Sequence, residues 1–164
     1  LMTSYGDLDR ILRAVGLPAD GRLVDLGSGW GRVGYFLGLT RPGVRFDGYE
    51  IVPARVASAK ATARELRMIN THFYQQDLSA DGFRLPDADV YFAYDPVSAT
   101  TLNKLLESLQ AKKGFTLVAI EGRGDLLRSL DQVPWLRRSQ SMTTIRHQSY
   151  GMNPHPDIGF YVLR

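Results

Sequence analysis

The chain has 164 residues, 44% of them apolar, and no cysteine. A chain of this size is expected to form one domain that buries roughly 70% of its unfolded surface. The lack of cysteine excludes disulfides, thiolate metal sites and a cysteine nucleophile. Twenty Lys and Arg, sixteen of them Arg, against 17 Asp and Glu give a net charge of +3, which permits a nucleic-acid partner without arguing for one. No apolar run reaches the ~20 residues of a membrane span. Leu1 to Gly6 lacks the basic and apolar regions of a signal peptide, so a cytoplasmic location is expected. Leu1 in place of methionine is what a trimmed fragment would show.

Leu8, Ile11, Leu12 and Val15 fall on one helical face, stopped by Gly16 and Pro18. Leu23 to Leu26 reads as a strand ending in glycines, and Trp30 to Leu39 as a helix. Val44 to Glu50 is a second strand. Pro53, at a tolerated first-turn position, opens an Ala- and Arg-rich helix expected to reach Met68. Thr71 to Gln75 and Asp89 to Tyr94 read as strands three and four. Ser98 caps a helix carrying Leu102, Leu105, Leu106 and Leu109, ended by Gly114. Phe115 to Ile120 is a fifth strand, followed by a helix from Asp125 to Leu130. Met142 to Tyr150 and Ile158 to Leu163 read as an antiparallel hairpin around Gly151 to Asp157. The alternation predicts an α/β fold: a Rossmann-like three-layer αβα sandwich with a mostly parallel seven-stranded sheet and a C-terminal antiparallel hairpin. Residues 1–164 are expected to be one domain, with an N-terminal helix in 1–18 and the core in 22–164.

The segment Asp25-Leu26-Gly27-Ser28-Gly29-Trp30-Gly31 is a strand-to-helix turn that lets a ligand approach the backbone and the free N–H groups of the next helix. Two ligands compete for it. Gly29 to Gly34 matches G-x-G-x-x-G, and Glu50 lies ~20 residues on, as in a dinucleotide site. Asp25 in the preceding strand would repel a pyrophosphate and attract a cation. Asp25, Glu50, Asp77 and Asp95 follow strands one to four, and parallel strands bring their C-terminal ends to one edge. Four carboxylates there suit a hydroxyl-rich cationic ligand better than a phosphate. Singly, each has a blander role: a helix cap, a solvated strand end, an Asx turn, loop punctuation.

Leu23 to Gly31 resembles motif I of the class I, Rossmann-like S-adenosylmethionine-dependent methyltransferases, and the similarity extends along almost the whole chain. The resemblance implies S-adenosylmethionine as cofactor, with Asp25, Gly27, Ser28, Gly29 and Gly31 forming the methionine-side loop. Glu50, beside Ile51, matches the acid that holds the ribose hydroxyls. Asp77, beside Leu78, matches the acid near the adenine amino group. Tyr94-Asp95-Pro96-Val97 stands where the family's motif IV lies, so Tyr94 and Asp95 are the expected catalytic, acceptor-side residues. The second proline and the aromatic of the amino-methylating version of that motif are absent.

Asp25 to Gly29 with Gly48 to Ile51 is also similar to DOT1-like protein-lysine methyltransferases, which makes a protein lysine the expected acceptor. RNA or a small molecule, or a non-catalytic binding module, are the alternatives, and a nicotinamide oxidoreductase is a further one. No metal is expected, because no His, Asp and Glu cluster has ligand spacing. His155 as a base, Arg123, Arg137, Arg138 and Arg146 as a basic rim, and the first helix as a lid are weaker candidates. The sequence leaves the acceptor and the oligomeric state open.

Overall fold

A computed structural model describes residues 3–94, 98–122, 125–145 and 157–164. The element order is α1 (Tyr5–Ala14), β1 (Arg22–Leu26), α2 (Arg32–Thr40), β2 (Arg45–Glu50), α3 (Pro53–Glu65), β3 (Thr71–Gln75), β4 (Val90–Tyr94), α4 (Ala99–Gln110), β5 (Thr116–Ile120), α5 (Leu126–Asp131), β6 (Leu136–Met142) and β7 (Ile158–Leu163). The seven strands lie in the order β3-β2-β1-β4-β5-β7-β6. β1 to β5 pair in parallel, and β7 runs antiparallel to both β5 and β6. This is the Rossmann-like sandwich expected from the alternation of elements.

Two apolar layers cover the sheet. Leu8, Ile11 and Leu12 of α1, Val33 and Leu37 of α2 and Val56, Ala59 and Ala63 of α3 pack with Phe46, Phe73 and Phe92 on one face. Leu105 and Leu109 of α4 and Leu126, Leu127 and Leu130 of α5 pack with Val24, Tyr91 and Tyr161 on the other. α1 therefore packs into the core. Its N-cap Ser4 accepts a hydrogen bond from the Asp7 amide.

Three element boundaries differ from expectation by two residues or more. α2 starts at Arg32, because the glycine loop continues through Gly31, which sits at φ 88°. α3 ends at Glu65: Arg67 adopts φ 53°, and the Met68 amide donates back to the Ala63 carbonyl in a Schellman closure. The largest correction concerns the sixth strand. It is Leu136 to Met142, not Met142 to Tyr150. Its sequence, LRRSQSM, is polar because β6 is an edge strand largely in water, so no apolar alternation marks it. Residues 146–150 of the expected strand lie outside the described residues.

The sheet order reverses between β1 and β4, and a crevice opens at such a switch point beyond the C-terminal strand ends. The glycine loop after β1 reaches this crevice by lying against β2. A Cβ added to Gly48 would come within 2.8 Å of Ser28 Cβ and of the Phe46 ring. Gly48→Ala is therefore expected to destabilise the fold by about 1–3 kcal/mol through overpacking. A lower denaturant midpoint with unchanged slope in equilibrium unfolding checks this.

Candidate active site

A cleft of about 800 Å³ opens along the C-terminal ends of β1, β2, β3 and β4. Asp25, Gly27, Ser28 and Gly29 line it from β1 and its loop. Glu50 and Ile51 line it from β2, Asp77 and Leu78 from beyond β3, and Tyr94 from β4. Gly31 does not line it. A Cβ there would lie 2.7 Å from the Phe73 ring and 2.9 Å from the Tyr35 ring, so Gly31 lets the turn close over those rings. Asp95 lies outside the described residues, as do His147, His155, Arg123 and Arg146.

Glu50 organises the loop. One carboxylate oxygen accepts the Gly29 amide at 2.9 Å and the other accepts the Val52 amide at 2.9 Å. Arg55 stands 3.6 Å away on α3. The Gly27 and Ser28 amides both donate to the Tyr49 carbonyl. The Gly27, Ser28 and Gly29 amides are thus already satisfied, and the Glu50 carboxylate bonded to the last of them would repel a pyrophosphate. This contact weighs against the dinucleotide reading. A carboxylate has about four lone-pair sites, so Glu50 keeps capacity to accept two further hydrogen bonds from hydroxyls.

Asp25 is 3% exposed at the floor of the cleft. Burial, and secondarily the neighbouring Glu50 charge, push its carboxyl up to about 8. Ser28 is buried too, and its hydroxyl oxygen has no hydrogen-bond partner among the described residues. A desolvated acid and an orphaned hydroxyl in one cleft are what a cationic, polar ligand would satisfy. Asp77 is exposed and accepts the Ser79 amide at 2.8 Å and the Ser79 hydroxyl at 2.6 Å, an Asx turn that holds its carboxyl below the usual range. Ile51, 57% exposed, gives the cleft an apolar edge.

Sequence reasoning missed Tyr49, Arg55 and Thr3, all of which line the cleft. Tyr49 acts through its carbonyl, which no residue type announces, and Arg55 through a helix placement visible only in three dimensions. Of the basic-rim candidates, Arg138 is committed to Asp131 and the Tyr161 ring. Among the described residues no His, Asp and Glu group is arranged to hold a metal, and no helix is long and apolar enough to cross a membrane.

Asp25 holds its proton in the folded chain up to about pH 8 but loses it near pH 4 when unfolded. Between those values the folded state binds more protons, so its contribution to stability falls as pH rises from about 4 to about 8. Asp25→Asn is expected to become progressively more stable than the wild type over that window, read as a widening gap in thermal midpoint. Glu50→Ala strips the acceptor from two backbone amides and is expected to cost about 1.5–3 kcal/mol of stability, measured by denaturant unfolding.

Residues 9–87 match the family model described as methyltransferase small domain. No curated protein sequence matches the chain. The chain is similar in structure to an RNA methyltransferase from Salinibacter ruber in complex with S-adenosyl-L-homocysteine (TM-score 0.70, 23% identity, 99% of this chain and 93% of that one). It is similar to an rRNA methylase from Streptococcus thermophilus (TM-score 0.72, 12% identity, 99% and 98%). It is also similar to TrmN from Thermus thermophilus (TM-score 0.75, 16% identity, 96% and 48%), and so spans about half the length of that protein. The match to a methyltransferase family thus rests on residues 9–87, just under half of the chain, and the sheet has the Rossmann-like fold of these methyltransferases.

Proposed function

We propose that this chain methylates RNA, holding S-adenosylmethionine in the cleft by the residues that line its acidic half. The observation that carries the cofactor placement is the pairing of a buried Asp25 carboxyl with the unpartnered Ser28 hydroxyl beside Glu50. When bound, the cofactor supplies an electrophilic methyl group on a sulfonium. The chain's own residues bind and orient. Asp25 would face the ammonium group, and the Ser28 hydroxyl would hydrogen-bond the polar methionine end. Glu50 would accept from the ribose hydroxyls with the lone pairs its backbone bonds leave over. Ile51 and Leu78 would flank the adenine, with Asp77 near its amino group. Tyr94 and Asp95 would face the acceptor. Alignment of a nucleophile within about 3–3.5 Å of the methyl carbon is the main catalytic demand.

RNA is supported as acceptor by the RNA methyltransferases among similar structures, and the net charge of +3 permits it. The protein lysine expected from the DOT1-like resemblance has no second observation behind it. We read residues 1–164 as one cofactor-binding domain working in the cytoplasm.

Bringing an ammonium group to a protonated Asp25 requires the acid to ionise. Calorimetry of S-adenosylmethionine binding at pH 7, in buffers of different ionisation enthalpy, is expected to show release of about one proton by the wild type and none by Asp25→Asn. Glu50→Ala is expected to weaken S-adenosylhomocysteine at least about ten-fold. Unchanged affinity would refute the ribose assignment. For the acceptor, labelled-methyl transfer to a lysate split into RNA, protein and small-molecule fractions is expected to label RNA. Label confined to protein would restore the lysine reading, and no label in any fraction would favour a non-catalytic binding module.

A further inference from the structure

Two side chains on the cleft's rim are left unused by the cofactor placement. Trp30 lines the cleft yet is 54% exposed. It rides on a loop fixed by the Tyr49 carbonyl and Glu50, so its ring is presented to solvent from a rigid support. A half-wet indole over a cleft gains contact area when a planar group stacks on it. Arg32 lines the same cleft from the start of α2, with its guanidinium 4.6 Å from the Tyr5 ring centroid. Tyr5 is in turn stacked on Phe36 at 5.8 Å.

The cleft's two arginines differ in their partners. Arg55 stands 3.6 Å from Glu50. Arg32 has no carboxylate at ion-pair distance among the described residues. The Tyr5 ring holds this cation in place while leaving its N–H donors for an oxyanion.

We infer that Trp30 and Arg32 form the acceptor-docking rim of the RNA site, Trp30 stacking a nucleobase of a single-stranded segment and Arg32 binding a phosphate oxygen. This rests on the RNA reading above. The same guanidinium chemistry would serve the cofactor's carboxylate, so the test separates the two.

The probe is a fluorescein-labelled, mixed-sequence RNA of about 20 nucleotides, followed by anisotropy, with S-adenosylhomocysteine affinity measured in parallel by calorimetry. Arg32→Gln is expected to weaken RNA binding at least about ten-fold and to reduce the salt slope by about one. Trp30→Ala is expected to weaken it about ten-fold, and Trp30→Phe to retain most of it. All three variants are expected to keep S-adenosylhomocysteine affinity, which also reports that they fold. Loss of cofactor affinity in Arg32→Gln with RNA affinity intact would assign the guanidinium to the cofactor and overturn the rim. Variants that bind RNA as the wild type does would overturn the rim and leave the RNA reading standing. A wild type that binds no RNA yet transfers methyl to another lysate fraction would overturn both.

Discussion

The Glu50 carboxylate joins three elements of the fold. It ends β2, accepts the amide of Gly29 in the loop after β1, and accepts the amide of Val52 at the entry to α3. A charged acceptor bonded to two backbone donors fixes their separation more tightly than apolar packing does. The position of the glycine loop over the sheet follows from it, and the position of Ser28, Gly29 and Trp30 follows from the loop. Gly48 supports the same arrangement sterically, since only a residue without Cβ lets the loop lie this close to β2.

The site is held at a cost in stability. Asp25 is buried with a neighbouring carboxylate and, among the described residues, no cationic partner, so its charged form is disfavoured until something cationic arrives. Asp47, on the adjacent strand β2 and the opposite sheet face, shows the contrast. It is fully buried yet accepts from Arg22 at 2.7 Å, Arg45 at 3.0 Å and Tyr74 at 3.1 Å, and its carboxyl is held below the usual range. One buried acid is compensated within the fold; the other faces a cleft. That difference separates a structural carboxylate from a binding one more clearly than burial alone.

α1 and the segment after β6 meet beside this cleft. Asp7, buried on α1, accepts the Ile145 amide at 2.9 Å, and Arg10 donates to the Thr143 carbonyl at 3.0 Å. Asp157 at the start of β7 accepts the Thr144 amide and hydroxyl, each at 2.7 Å. The ends of β6 and β7 are thereby tied to each other and to the first helix, whose packing anchors them to the core.

The sequence by itself determined the parallel core and the acids. Strands β1, β4 and β5 are short, mostly apolar runs, β2 and β3 are aromatic-containing runs bounded by turn residues, and the period change to helix between them forces the crossovers. Asp25, Glu50 and Asp77 stand out because acids at successive strand ends must share one edge. The sequence did not show β6, whose polar edge residues carry no periodicity, or the end of α3, which a left-handed Arg67 sets. The discrimination between the two ligands of the glycine loop comes from the tertiary structure. The motif fits both cofactors in one dimension. The choice is made by the Glu50 side chain filling the amide site from a neighbouring strand, a contact that exists only once β1 and β2 lie side by side.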